Sequence, residues 1–514
     1  MPPRSVGYQR PQIKRSRSWS ERMLRNYGMD TFTPIKDERI VPQWLIGKGV
    51  VFFFISMLLC FGTFGYVPEL NLWLVASISA VLFFYGAQSL SKSWNHSKEK
   101  KFLRNVFVAG LIIRIIWILY MYFVFNPDNF GNSYGSQADT DWYMDFGREL
   151  SLWIRGESEY SLSVIIDRNN SAIDDTGYPM WLAVIYLLTG NVSDVFIPFC
   201  VKAIVSSYCA ICMYRVAKRH FGIGTARIAA LFVCLNPNMI YWCSSMMKET
   251  EMVFVTCLAV DNLDKALSSG SRLTFKSLWP GILAGIYLFF IRTALGLALF
   301  LAVLAHIVMA TNRVMSFGKK IIAGVLVLTV MVFSVGDRVL NQSRVMYEDV
   351  QSEGQKTNME WRSTRKGGNS FAKYAGAAVF APLIFTLPFP TFNQAQEDQL
   401  VQIQVSGGSY IKNILSFFVL VVMILMLISG EWRSHVFILA YTVGYLGILV
   451  MSSYAQSGRF HMPVIPMLML FAAYGIQIAK SKPRFKQMYT FVLVLEVLIC
   501  LVWNWFKLKG RGMI

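Results

Sequence analysis

The chain alternates long apolar runs with short polar connections. The runs lie at about 49–66, 72–89, 104–125, 177–189, 195–214, 224–243, 246–262, 279–291, 294–310, 320–336, 374–390, 411–429, 434–452, 461–479 and 488–506. Most approach the ~20 residues that an α-helix needs to cross the hydrocarbon core of a bilayer. The pattern predicts an all-α polytopic membrane protein of about 13 transmembrane helices, with outer-face juxtamembrane helices in addition.

Charge gives these runs a direction. Residues 1–48 carry ten basic groups against four acidic ones, too long and too charged a stretch for a signal peptide. Arg15, Arg17, Arg22 and Arg25 are expected against anionic headgroups on the cytoplasmic side. Two crossings later, Lys92, Lys98, Lys100, Lys101 and Arg104 return to that side. The next helix delivers 126–176 to the outside, a loop with ten Asp/Glu and three Arg. The run 177–189 is only about 20 Å long as a helix. If it crossed, it would carry Arg215, Lys218, Arg219 and Arg227 outside, so it is read as resting on the outer face. The run 374–390, with Pro382, Pro388 and Pro390, is read as a second, partly inserted outer-face helix. Arg272, Lys276, Arg313, Lys319, Lys320, Arg433, Lys480, Lys482, Arg484 and Lys486 then fall inside, while Lys507, Lys509 and Arg511 are left outside.

Composition agrees: 54% of the 514 residues are hydrophobic and 15% charged, where a soluble globule keeps about 25% charged. The formal charge of +19 does not point to nucleic acid, because the basic residues cluster between apolar runs. The eight cysteines lie in or beside apolar segments, and the Cys209/Cys212 spacing falls inside a predicted membrane helix, so buried small hydrophobes are expected.

Several unusual polar residues map to the outer side. Asp139 and Asp141 stand at the entrance to an amphipathic stretch whose Trp142, Phe146, Leu150 and Trp153 suit a helix in the interface plane. Tyr178-Pro179 opens the short helix, either as a structural start or as part of a site. Lys248, Glu249 and Glu251 lie near membrane depth, where ionisable groups suggest function; a plain hairpin tip is the alternative. Arg292 interrupts an apolar run at an outer helix end, placed to grip a phosphate or to snorkel to headgroups. Arg459 and His461 begin another helix entered from outside. Carboxylates and arginines around an interfacial cavity suit glycosyl transfer, in which a carboxylate deprotonates the acceptor hydroxyl and positive charge or a metal stabilises the departing phosphate. A divalent cation at Asp139 and Asp141 is left open, although hard cations usually take more oxygen ligands than this pair supplies.

Over residues 104–480 the chain resembles integral-membrane glycosyltransferases of the GT-C superfamily. More narrowly, it is similar to the bacterial family related to protein mannosyltransferases and lipid A aminoarabinose transferase. The resemblance rests on Asp139 or Asp141 in the first outer loop, Tyr178-Pro179, the helix end at Asn236-Pro237, the pair Lys248 and Glu249, and Arg292. It implies a polyprenyl-phosphate-linked sugar donor, a lipid-linked or glycan acceptor, and transfer at the outer face of the cytoplasmic (inner) membrane. Asp139, Asp141 and Glu249 become candidate catalytic residues. Tyr178, Lys248, Glu251, Arg292, Arg459 and His461 become candidate substrate contacts.

The expected layout is a basic segment 1–48, two extra helices and a linker over 49–103, a core 104–336, an outer loop 337–410 with its inserted helix, and C-terminal helices 411–514. The two extra helices depart from the family pattern, as does the lack of a large soluble C-terminal domain. The stretch Arg459–Pro466 also resembles a late outer-loop feature of polysaccharide polymerases, so a polymerase of lipid-linked repeat units is the close rival. A transporter of lipid-linked substrate is the more distant one. Arg338, Arg344, Arg362, Arg365 and Lys366 are read either as saccharide or pyrophosphate contacts or as an ordinary solvated loop.

Overall fold

The computed structural model describes residues 39–65, 70–125, 137–168, 175–190, 195–268, 275–309, 380–392, 399–451, 457–480 and 483–510, with a few isolated positions between. Arg15, Arg17, Arg22, Arg25, the run 320–336 and the basic residues predicted between 338 and 366 lie outside the described residues.

Among the described residues the regular structure is helical. In order the helices are α1 (Gln43–Phe64), α2 (Leu70–Val81, continued through a π-turn at Leu82–Gly86 into Ala87–Ser93) and α3 (Glu99–Tyr120, with a π-turn at Met121–Phe125). Then come α4 (Gln137–Arg155), α5 (Leu162–Arg168), α6 (Gly177–Thr189), α7 (Phe196–Phe221), α8 (Ile223–Leu235), α9 (Pro237–Tyr241) and α10 (Glu249–Ser268). The last group is α11 (Phe275–Ile291), α12 (Thr293–Met309), α13 (Gln399–Ser429), α14 (Val436–Met451), α15 (Gly458–His461), α16 (Ile465–Lys480) and α17 (Pro483–Gly510). Seven helices are long and apolar enough to cross a membrane, or eight if the bent pair α8–α9 is one span. The protein is an all-α, multi-pass membrane protein.

The apolar runs sort into inner and outer helices by what they bury. The 23-residue segment Gly458–Lys480 is buried throughout its apolar window, packed among its neighbours. On α1, α3 and α17 less than half of that window is buried, and Leu58, Ile116, Phe491 and Val502 are each more than half exposed. Such a surface suits lipid, which asks for apolar contact and offers no hydrogen bonds. Helices approach closely where a side chain is missing. A Cβ on Gly475 of α16 would lie 2.5 Å from the Phe418 carbonyl oxygen of α13, the small-residue contact by which membrane helices gain packing.

Polar groups gather at the two ends of the bundle. At one end Arg227 donates to the carbonyls of Trp94 and Asn95, both at 2.8 Å, and Lys218 pairs with Glu99 at 2.7 Å. There too Arg219 bonds Asp261 at 2.8 Å and Asp264 at 2.6 Å, His220 meets His435 at 2.7 Å, and Lys480 donates to the Ile40 carbonyl at 2.6 Å. These segments are the ones whose charge pattern predicts a common side. The C-terminal part of α17 lies at the other end, where Asn504 accepts from the Phe392 N–H at 2.9 Å. That end also holds the start of α6: the Lys202 ammonium, early in α7, sits 4.5 Å from the centre of the Tyr178 ring. A crossing helix would have put the start of α7 at the opposite end.

Two runs are not single straight helices. The run 224–243 bends by 49° between α8 and α9–Ser244. Pro237 lacks the N–H that would continue the ladder, and the Asn236 side chain caps the new turn by accepting from Asn238 N–H at 3.1 Å. The freed Cys234 carbonyl accepts from the fully buried Arg114 at 3.0 Å. The predicted helix over 374–390 is, in its described part, a single turn at Ala381–Leu383 followed by non-helical chain. Three prolines remove its donors, and its carbonyls are taken by side chains of neighbouring helices: Asn413 to Thr386, Lys412 to Leu387 and Asn504 to Pro390.

Gly475→Val is expected to destabilise the protein by about 1–3 kcal/mol through overpacking against α13, read as a lower thermal midpoint in detergent. An unchanged midpoint would show that α13 and α16 are not in backbone contact there.

Candidate functional site

At the end opposite the His220–Asp264 cluster, three segments distant in sequence meet on one guanidinium. The first turn of α4 supplies Asp139, the first turn of α10 supplies Glu249, and α15 supplies Arg459. Arg459 donates through Nε to Glu249 Oε1 and through a terminal nitrogen to Asp139 Oδ2 at 3.0 Å. The two acids differ in surroundings. Glu249 is fully buried, whereas the Asp139 side chain is 53% exposed. A buried carboxylate is costly unless its charge is met by a well-placed partner; Arg459 supplies one, and the positive N-terminus of α10 adds a second favourable term. Glu249 Oε2 is buried and accepts no hydrogen bond among the described residues.

Around this bridge lie the other cations. Lys248 donates to the Ile291 carbonyl at 3.1 Å and pairs with Asp175, a residue held at φ 77° where L-residues are uncommon. Arg292 occupies the one-residue break between α11 and α12, its Cζ 4.0 Å from the centre of the Phe460 ring. Tyr143, one turn along α4 from Asp139, is buried beneath these groups. Burial pushes its phenol up, with Glu249 and Asp139 adding to the shift while Arg459 and Arg292 oppose it.

A second layer supports the first. Lys202 on α7 donates to the Met247 carbonyl and to Glu251 Oε2, both at 2.6 Å, with neither side chain exposed by more than 2%. It thereby fixes the peptide immediately before Lys248. Tyr178 lies between the Lys202 ammonium and the Tyr143 ring, whose centre is 5.2 Å from its own. The Gly177 carbonyl accepts from the Tyr287 hydroxyl at 2.7 Å, tying α6 to α11. α4 and α6 run side by side in the same direction: Tyr143 meets Tyr178, Gly147 abuts Leu182, and Arg155 donates to the Tyr186 carbonyl at 2.7 Å.

The structure therefore brings Asp139, Glu249 and Arg459 into contact, with Lys248 and Arg292 beside them and Tyr178 and Glu251 in the supporting layer. Asp141 is exposed, on the other side of α4, as two residues' separation on a helix requires. His461 turns away from the bridge. It is fully buried, bonded to Lys412 Nζ at 2.8 Å and to the Ala455 carbonyl at 2.8 Å. Lys202, Asp175, Tyr143 and Phe460 were not among the predicted site residues. Lys202 did carry a signal, as a lysine inside an apolar run.

Among the described residues no three His, Cys, Asp or Glu side chains come together as a metal site. Asp139 and Glu249 instead share the guanidinium of Arg459.

Residues 164–347 match the model of the Alg9-like mannosyltransferase family. This part of the chain is similar to the mannosyltransferases of that family. The mannosyltransferase-like stretch holds Tyr178, Lys202, Lys248, Glu249, Glu251 and Arg292, while Asp139 and Arg459 come from its flanks. No curated protein matches the chain significantly.

Removing one partner of the Lys202–Glu251 pair leaves a buried charge uncompensated, so Lys202→Met is expected to cost about 3–5 kcal/mol. Adding Glu251→Met should recover most of that loss in unfolding experiments in detergent. A double variant no more stable than the single one would show that the two side chains are not paired.

Proposed function

We propose that the protein transfers a sugar or oligosaccharide from a polyprenyl-phosphate carrier to a lipid-linked or glycan acceptor at the outer face of the cytoplasmic membrane. The observation that carries the reading is the bridge of Asp139, Arg459 and Glu249 at one end of an apolar helical bundle, beside a mannosyltransferase-like sequence. Mannose is accordingly the first sugar to test.

In this reading Asp139 is the general base, because its carboxylate is the one open to an incoming acceptor. It takes the hydroxyl proton as the acceptor oxygen bonds to the anomeric carbon. The bond from that carbon to the phosphate oxygen breaks, and its electron pair leaves with the phosphate. Arg459, Arg292 and Lys248 face the charge that develops, and such preorganised donors act strongly where water is excluded. Glu249 keeps Arg459 in place when the phosphate draws it from Asp139. Asp141 is read as a helper at the mouth of the site.

Two features support a lipid carrier and an outer-face site. Met180, Val184 and Leu188 form an exposed apolar stripe along α6, a surface suited to an isoprenoid chain at the interface. The far end of the bundle carries Lys98, Arg215, Lys218, Arg227, Arg433 and Lys480, the excess expected on a cytoplasmic side. About 13 spans, with α6 and the 380–392 segment on the outer side, accommodate both features.

Asp139→Asn is expected to lower the transfer rate about 10²–10⁴-fold, measured with labelled polyprenyl-phosphate mannose in membrane vesicles, while Asp141→Asn stays within roughly tenfold of the unmodified protein. Full turnover by Asp139→Asn would remove the base assignment, and labelling of a cysteine at 139 only from the cytoplasm would remove the outer-face reading.

A further inference from the structure

Two guanidiniums converge on one phenyl ring. The Cζ atoms of Arg292 and Arg459 lie 4.0 Å and 5.9 Å from the centre of Phe460. The arginines come from the α11–α12 break and from α15, and like charges so close repel one another. The negative face of an aromatic ring offsets part of that repulsion. Phe460 is itself fixed: its carbonyl accepts from the Tyr445 hydroxyl at 2.8 Å, and its N–H donates to the Ser457 carbonyl at 3.1 Å.

The ring differs from an acid in one respect that matters here. A carboxylate between two arginines would attract them but also occupy their N–H groups. A phenyl ring attracts the cations and leaves those donors for another acceptor. One terminal nitrogen of Arg292 is in that position, buried and donating to no group among the described residues. Arg459 is anchored through its Nε by Glu249.

Resting on the carrier reading above, we infer that Phe460 is a positioning residue that holds Arg292 and Arg459 together as a paired-guanidinium seat for the carrier's phosphate. The anion completes what the ring begins: it neutralises both cations and accepts from both forks.

The test is binding of polyprenyl monophosphate to the full-length protein in nanodiscs. Phe460→Leu should weaken binding about tenfold, the loss of two cation–π contacts, and Phe460→Tyr should stay within about twofold. A series with one, two and three fluorines on the ring at 460 keeps the shape while draining the ring's negative face, so affinity should fall stepwise. That series decides the matter even where Phe460→Leu does not fold. Tight binding by the unmodified protein with a flat fluorination series would overturn the role of Phe460 alone. No binding by the unmodified protein would overturn the carrier reading and this inference with it.

Discussion

Arg459 is the group on which the site end of the molecule depends. It gives the buried Glu249 its counter-charge, ties α4 to the bundle through Asp139, and shares a ring with Arg292. An ion pair at a protein surface contributes little; this one is partly sequestered, and its two acids leave different degrees of freedom. Among the described residues Arg459 is the cation bonded to the Glu249 carboxylate, whereas Asp139 is open to solvent. That asymmetry makes one arginine both a buried structural tie and a half-open surface contact.

Beneath it, the Lys202–Glu251 pair and Tyr178 give the Met247–Glu249 turn a rigid base. A charge-paired layer of this kind adds little net stability compared with an apolar one, yet it fixes a backbone position that apolar packing would leave less defined. The result is a turn whose lysine and glutamate, adjacent in sequence, face different partners: Lys248 the start of α6 and the end of α11, Glu249 the start of α16's segment.

Much of this was legible in the chain, because lipid makes charge placement conspicuous. Lys92 to Arg104 and Arg215 to Arg227 are predicted to share a side, and in the structure Arg227 bonds the 94–97 carbonyls. Asp139, Glu249, Arg292 and Arg459 each stand out as charges at the ends of apolar runs. Their mutual contact does not, since the pairing spans some 320 positions and only packing decides it. His461 shows the limit: two residues from Arg459, it looks like a partner until the turn geometry sends it to Lys412. Phe460 left no trace among 38 phenylalanines. In the described part of the run 374–390 the helical turn at Ala381–Leu383 gives way to non-helical chain, because three prolines lack donors and leave carbonyls for Lys412, Asn413 and Asn504 to take.

The break at Asn236-Pro237 has a consequence for depth. α8 is only about 20 Å long, about half the length of its neighbour α7. Chain that would have continued along the axis of α8 instead turns aside and leads through Trp242–Ser244 to Lys248 and Glu249. Lys202, which holds the Met247 carbonyl, lies six residues into α7, roughly 9 Å along the helix from its first residue. Lys248, Glu249 and Glu251 are thus buried among helices instead of standing at an exposed helix end. Each attraction between charges held there is stronger than the same contact would be at the surface.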